Sequence, residues 1–160
     1  MIGDVGQRGR NPAHTDVIEH LMVTGEFSGP TQGDTITLPD GSTRSWTIVE
    51  PLEDGSIQDE ALRGGYAFAR VEAEEAGPMI LDARGHSMVY VNGVPRAGDP
   101  YSNGLMRIPV FLNKGTNEFL FRVGRGKLKA NLLAAPKNAD GEQQELAFML
   151  NDDTIPDLVV

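Results

Sequence analysis

The sequence contains no cysteine. Disulfides and thiolate metal sites are therefore excluded, and the redox compartment cannot be read from it. No apolar run approaches the roughly 20 residues of a membrane span, so membrane insertion is not expected. Basic residues are scarce: 14 Lys and Arg stand against 23 Asp and Glu, for a formal net charge of -9. Nucleic acids and anionic membrane surfaces both favour a basic face. Neither is expected as a partner, and an acidic, solubilising surface accounts for the charge. Aromatic residues make up 6% of the chain, with a single tryptophan, Trp46. The opening residues lack the apolar core of a signal peptide. The 10–15-residue helical patterns that alternate with strands in parallel sheets are also missing.

What the chain does have is punctuation and alternation. Its 160 residues include 19 glycines and 10 prolines. That length fits one domain, and a domain of this size buries roughly 70% of its unfolded surface. The clearest signals lie between residues 86 and 123. Met88, Val89, Tyr90 and Val91 are β-branched, aromatic or long apolar residues, which suit a pleated, half-buried surface. Asn92-Gly93 follows, and both residues tolerate the positive φ that a type I′ hairpin turn needs. Val89 and Val91 then share one face of the strand, and Met88 and Tyr90 the other. A second turn signal covers 113–117, after which Phe119, Phe121 and Val123 alternate with Glu118, Leu120 and Arg122. That period of two predicts a strand with a strongly apolar face.

The run VYVNG (89–93), a Gly-rich loop, an apolar strand and KGTNEFLFRV (114–123) together resemble the galactose-binding-like jelly roll. This fold serves as a sugar-binding or accessory domain in many large hydrolases. The resemblance is strongest over the middle third, extends over residues 65–136, and is loose at the flanks. It implies an all-β fold, an antiparallel two-sheet β-sandwich, and it reports a fold rather than a ligand.

The rest of the chain fits that expectation. Residues 1–15 read as a flexible linker, 16–150 as the sandwich, and 151–160 as the start of a linker to a following domain. Within the sandwich, residues 16–27 suit helix or strand, and the strand is favoured. Short strands are expected at 35–38, 44–49, 65–75, 79–84, 105–112, 128–135 and 145–150. Asp40-Gly41-Ser42 and Asp54-Gly55-Ser56 read as turns. Pro109 suggests an edge position or a bulge, since it cannot donate to a ladder. Along 66–71 the small residues are expected to face the packed side. Trp46 is expected to anchor the core, with a sugar-stacking platform as its alternative.

Chemistry is harder to find. Gly85-His86-Ser87 lacks the second glycine and the strand-to-helix setting of a nucleophile elbow. Gly124-Arg125-Gly126-Lys127 lacks the spacer and hydroxyl of a phosphate loop and reads as a bend. His14, His20 and His86 show no metal-ligand spacing. Glu72, Glu74 and Asp82 read as surface carboxylates. The best ligand candidate is the loop holding Arg96, Asp99, Tyr101 and Asn103: a guanidinium fork, an acceptor, a ring and an amide are the ingredients of sugar recognition. No cofactor is expected. The resemblance admits a structural calcium, for which Asp152, Asp153 and Asp157 are candidates, although their spacing is not that of an EF-hand loop.

The function expected from the resemblance is that of a non-catalytic accessory module of a larger exported hydrolase. The likeness extends to regions preceding an α/β-hydrolase or prolyl-oligopeptidase-like peptidase domain. The partner would be that catalytic domain, and the location periplasmic or extracellular. Carbohydrate binding through the sandwich-end loops is the alternative, and a free-standing enzyme the third.

Overall fold

The computed structural model describes residues 1–3, 5, 16–101 and 103–136. In chain order these form α1 (Val17–Thr24), β1 (Thr35–Thr37), β2 (Thr43–Ser45), β3 (Ser56–Gln58), a 3-10 turn (Glu60–Leu62), β4 (Tyr66–Ala73), β5 (Gly77–Arg84), β6 (His86–Val91), β7 (Val94–Ala97), β8 (Arg107–Leu112), β9 (Gly115–Val123) and β10 (Lys127–Ala134). Among the described residues strand far outweighs helix, and every strand pair is antiparallel. Two four-stranded sheets, ordered β3-β10-β5-β8 and β4-β9-β6-β7, make a β-sandwich. A small β1-β2 ladder stands apart from both.

The pairing is nested. β6 pairs with β7, β5 with β8, β4 with β9 and β3 with β10. The innermost pair is closed by Asn92 and Gly93, at φ 50° and 83°, the left-handed backbone that the expected type I′ turn requires. Alternation then sorts the side chains. Ala67, Leu81, Val89, Val91, Val110, Phe119, Phe121 and Val123 meet between the sheets. Tyr66, Phe68, Met88, Tyr90 and Leu120 point to the opposite side of β4-β9-β6-β7. The small residues of β4 face the packed side, as expected. Pro109 lies on β8, an edge strand.

Residues 16–27 correct the favoured reading: they hold a helix, not a strand. Asp16 caps α1, accepting from the amides of Ile18 and Glu19, and Gly25 ends it in the left-handed conformation. The helix lies over the outer face of β4-β9-β6-β7, where Ile18, Trp46 and Leu38 pack on Tyr66, Tyr90 and Leu120. Trp46 is a core residue, 4% exposed, and meets Phe68 edge-to-face.

The first residues are also not a linker. Ile2 exchanges two backbone hydrogen bonds with Tyr66, of 2.9 and 3.0 Å, and both Ile2 and Val5 are buried. Residues 4, 6–15 and 151–160, which carry the rest of the linker expectation, lie outside the described residues, as does the strand expected at 145–150. The strand β3 and the 3-10 turn lie between the strands expected at 44–49 and 65–75, where the sequence reading placed no strand.

Candidate functional site

The loop after β7 is built around Asp99. Its Oδ1 accepts from the Asn103 amide at 3.1 Å and its Oδ2 from the Gly104 amide at 2.7 Å. Asp99 is 3% exposed. Its acceptors are thus spent on the loop's own backbone, and what it provides is a fixed loop shape. Tyr101 stands out from that loop at 71% exposure, and Asn103 is exposed as well. Arg96 belongs to β7 rather than to the loop and pairs with Val89. The four candidates therefore share one end of the sandwich. Among the described residues no hydrogen bond or ion pair joins the side chains of Arg96, Tyr101 and Asn103.

His86 sits beside this loop, at the bend where Gly85 turns β5 into β6. Gly85 has φ 88°, and a Cβ there would meet the Lys127 carbonyl oxygen at 2.0 Å, so no side chain fits. His86 is 2% exposed and packs edge-on to Phe121 at 5.5 Å. Its Nδ1 has no hydrogen-bond partner. Burial pushes its pKa below the ordinary 6.5, against an opposing pull from the Asp99 carboxylate. The ring is held neutral, and Ser87 donates to the Arg122 carbonyl at 3.4 Å.

Two polar clusters were not anticipated as clusters. In the first, Tyr66 Oη donates to Asp16 Oδ2 at 2.8 Å. Arg122 lies 3.5 Å from both Asp16 and Glu19. Burial, with the Asp16 carboxylate next, raises the Tyr66 pKa far above the phenolic range. The group pins α1 to the sheet. The pattern Asp16-Val17-Ile18-Glu19 is a capping-box spacing, which could have signalled the helix start.

In the second, Asn117 is fully buried. Its Oδ1 accepts from Asn92 Nδ2 and from the Asn113 amide, both at 2.8 Å. Its Nδ2 donates to the carbonyls of Asn113 and Gly115 at 2.7 and 3.0 Å. Asn92 Oδ1 in turn accepts from the Glu118 amide at 2.8 Å. These are the asparagines of VYVNG and KGTNEFLFRV. The motif that carried the resemblance is thus a clasp between β6 and β9, with the amide's polar atoms all partnered.

Two cavities lie away from this loop. One cavity of about 200 Å³ is lined by Met1, Thr31, Trp46, Ile48 and Phe68 among others. Another, of about 250 Å³, lies under α1 against Phe27, Tyr90 and Glu118. Neither is lined by Arg96, Asp99, Tyr101 or Asn103. Among the described residues no group of three or more His, Asp or Glu is placed to hold a metal ion. Asp152, Asp153 and Asp157 lie outside those residues. Asp82 is paired with Arg107 at 3.4 Å, and Glu72 accepts from the Thr116 hydroxyl, so these carboxylates do not converge on a cleft.

No match was found. Protein-family models, curated proteins and solved structures were each compared with the chain, and none is similar to it at a significant level.

Proposed function

We propose that this chain is a non-catalytic accessory module of a larger exported hydrolase, built as a jelly roll of the galactose-binding kind. The nested pairing of β3 through β10 supports the jelly roll, whose two Greek keys wind a doubled chain in this way. The observation that carries the accessory role is the outer face of β3-β10-β5-β8. No described element covers it. Phe111 is 51% and Leu133 39% exposed there. Register sets Leu133, Ile80 and Pro109 in one row and Pro78 beside Phe111 in the next. A contiguous apolar patch of this kind marks a packing surface. The partner is the catalytic domain of the same polypeptide, an α/β-hydrolase or a prolyl-oligopeptidase-like peptidase, and the place is outside the cytoplasm.

The first test is the gene's reading frame, which is expected to encode a hydrolase domain next to this one. In that full-length protein, Ile80→Glu with Phe111→Glu is expected to speed the proteolytic separation of the two domains. Val23→Glu, on the exposed side of α1, leaves it unchanged. Equal cleavage rates would count against the reading.

A carbohydrate-binding role has one observation in its favour: the Tyr101 ring projects from a loop that Asp99 holds in shape. It predicts saturable binding of an oligosaccharide by calorimetry, lost in Tyr101→Ala. Silence across a broad glycan panel removes it.

A further inference from the structure

The sequence holds two Asn-Gly pairs, Asn92-Gly93 and Asn103-Gly104. Such a pair is chemically labile. The glycine nitrogen can lose its proton and attack the asparagine Cγ, and no Cβ shields that nitrogen. Ammonia leaves, a cyclic imide forms, and water then opens it to aspartate or isoaspartate. Each product carries one new negative charge, and isoaspartate lengthens the backbone by a methylene. Both asparagines are exposed, so access to water does not separate them. Their hydrogen bonds do.

At the first pair the electrophile is held. Asn92 Nδ2 donates to Asn117 Oδ1, and Asn92 Oδ1 accepts from the Glu118 amide, both at 2.8 Å. Cγ is thereby fixed toward β9 and away from the nitrogen of Gly93. Asn117 is fully buried, and β6 and β9 are the two inner strands of their sheet. Freeing Asn92 therefore means disturbing the middle of the sheet.

At the second pair the nucleophile is held. Asp99 Oδ2 accepts from the Gly104 amide at 2.7 Å, and Asp99 Oδ1 from the Asn103 amide at 3.1 Å. A carboxylate at that distance opposes the build-up of negative charge on the glycine nitrogen. This guard stands in a surface loop, and loops open at lower cost than inner strands.

We propose that Asn103 is a latent modification site, guarded by Asp99 and converted to aspartate or isoaspartate as the loop opens, while the Asn92-Asn117 clasp keeps the other Asn-Gly pair closed. Conversion adds a carboxylate beside Asp99 and reshapes the loop that presents Tyr101. The proposal rests on neither the accessory role nor carbohydrate binding.

Ageing the full chain at mildly alkaline pH, with peptide mapping by mass spectrometry, tests this. Once open, both pairs share the same chemistry, so their rates report how readily each site opens. Asn103 is expected to convert at least about 10-fold faster than Asn92. Asp99→Ala is expected to speed Asn103 by a further factor of about 10 and to leave Asn92 unchanged. Asn117→Leu is expected to speed Asn92 alone. Asn103→Gln assigns the signal; Gly104→Ala is no control, because a Cβ there would meet Arg84 Nε at 2.7 Å. Hydrogen exchange at the amides between β5 and β8 reports that the sandwich is folded. Should Asp99→Ala unfold the chain, Asp99→Asn, which keeps an acceptor without the charge, is read the same way. An Asn92 rate equal to or above that of Asn103 in the unmodified chain overturns the proposal. So does an Asn103 rate that the loss of Asp99 leaves unchanged.

Discussion

The two sheets carry similar strands but have different outer faces. Over β4-β9-β6-β7 the aromatic side chains Tyr66, Phe68 and Tyr90 lie under α1, Trp46 and the first residues of the chain. Over β3-β10-β5-β8 the row of Leu133, Ile80 and Pro109 has no such cover among the described residues. Strands buried on both faces read as continuous apolar runs. β9 does so over FLF and is buried on both sides, Phe119 and Phe121 inward and Leu120 outward. β5 and β8 read the same way over PMIL and IPVFL, yet only Met79, Leu81, Ile108, Val110 and Leu112 face the core. Their composition fits a second cover that the described chain does not supply.

That contrast can be broken or sharpened by substitution. The largest effect is expected between the sheets, where Phe121→Ala removes a ring shared by both; a loss of about 3–5 kcal/mol is expected in chemical denaturation. Next comes the clasp. Asn117→Leu removes the four hydrogen bonds that this fully buried side chain makes, and a loss of about 2–3 kcal/mol should follow. On the covered face, Asp16→Ala removes both the helix cap and the partner of Tyr66. About 1–2 kcal/mol is expected, with faster exchange of the α1 amides as the sign that the cover has loosened. On the bare face, Phe111→Ser should change the stability of the isolated chain by less than about 0.5 kcal/mol. A loss as large as that of Asp16→Ala would mean that the face is already covered.

Acid provides a separate probe of the inter-sheet region. His86 is held neutral by burial, its pKa below the ordinary 6.5. Above pH 6.5 folded and unfolded chains both hold neutral imidazole there. As pH falls through about 6.5, the unfolded chain takes up a proton that the folded chain refuses. Stability therefore falls with pH below that point and levels off beneath the folded pKa. His86→Leu is expected to flatten this part of the stability profile; an unchanged slope would assign it to other groups.

Strand positions were legible wherever side chains alternate over four residues or more and a turn former follows. The Asn92-Gly93 hairpin, the Asp40 and Asp54 turns, in which Ser42 and Ser56 bond back to the carboxylates, and edge Pro109 all fall in this group. α1 was missed because eight residues of VIEHLMVT satisfy both periods, and its Asp16–Glu19 capping spacing was outweighed by Val23-Thr24. β3 was missed because three residues, Ser56, Ile57 and Gln58, are too few to show any period. At the candidate loop, sequence proximity was a fair guide to location but not to role. Asp99 looked like a ligand acceptor, yet it satisfies amides four and five residues on. The meeting of Asn92 and Asn117 was out of reach for a different reason: the two lie on different strands, and no local pattern reports it.

The concentric order of the strand pairs has a bearing on how the chain acquires its shape. The β6-β7 turn can form within a handful of residues, but each enclosing pair must close a longer stretch, and Gln58 waits for Lys127. Closing such distant contacts is slow and costs chain entropy. During synthesis, then, the sandwich stays incomplete until nearly its last strand has emerged from the ribosome, and half-made intermediates with exposed strands should be the species that chaperones meet.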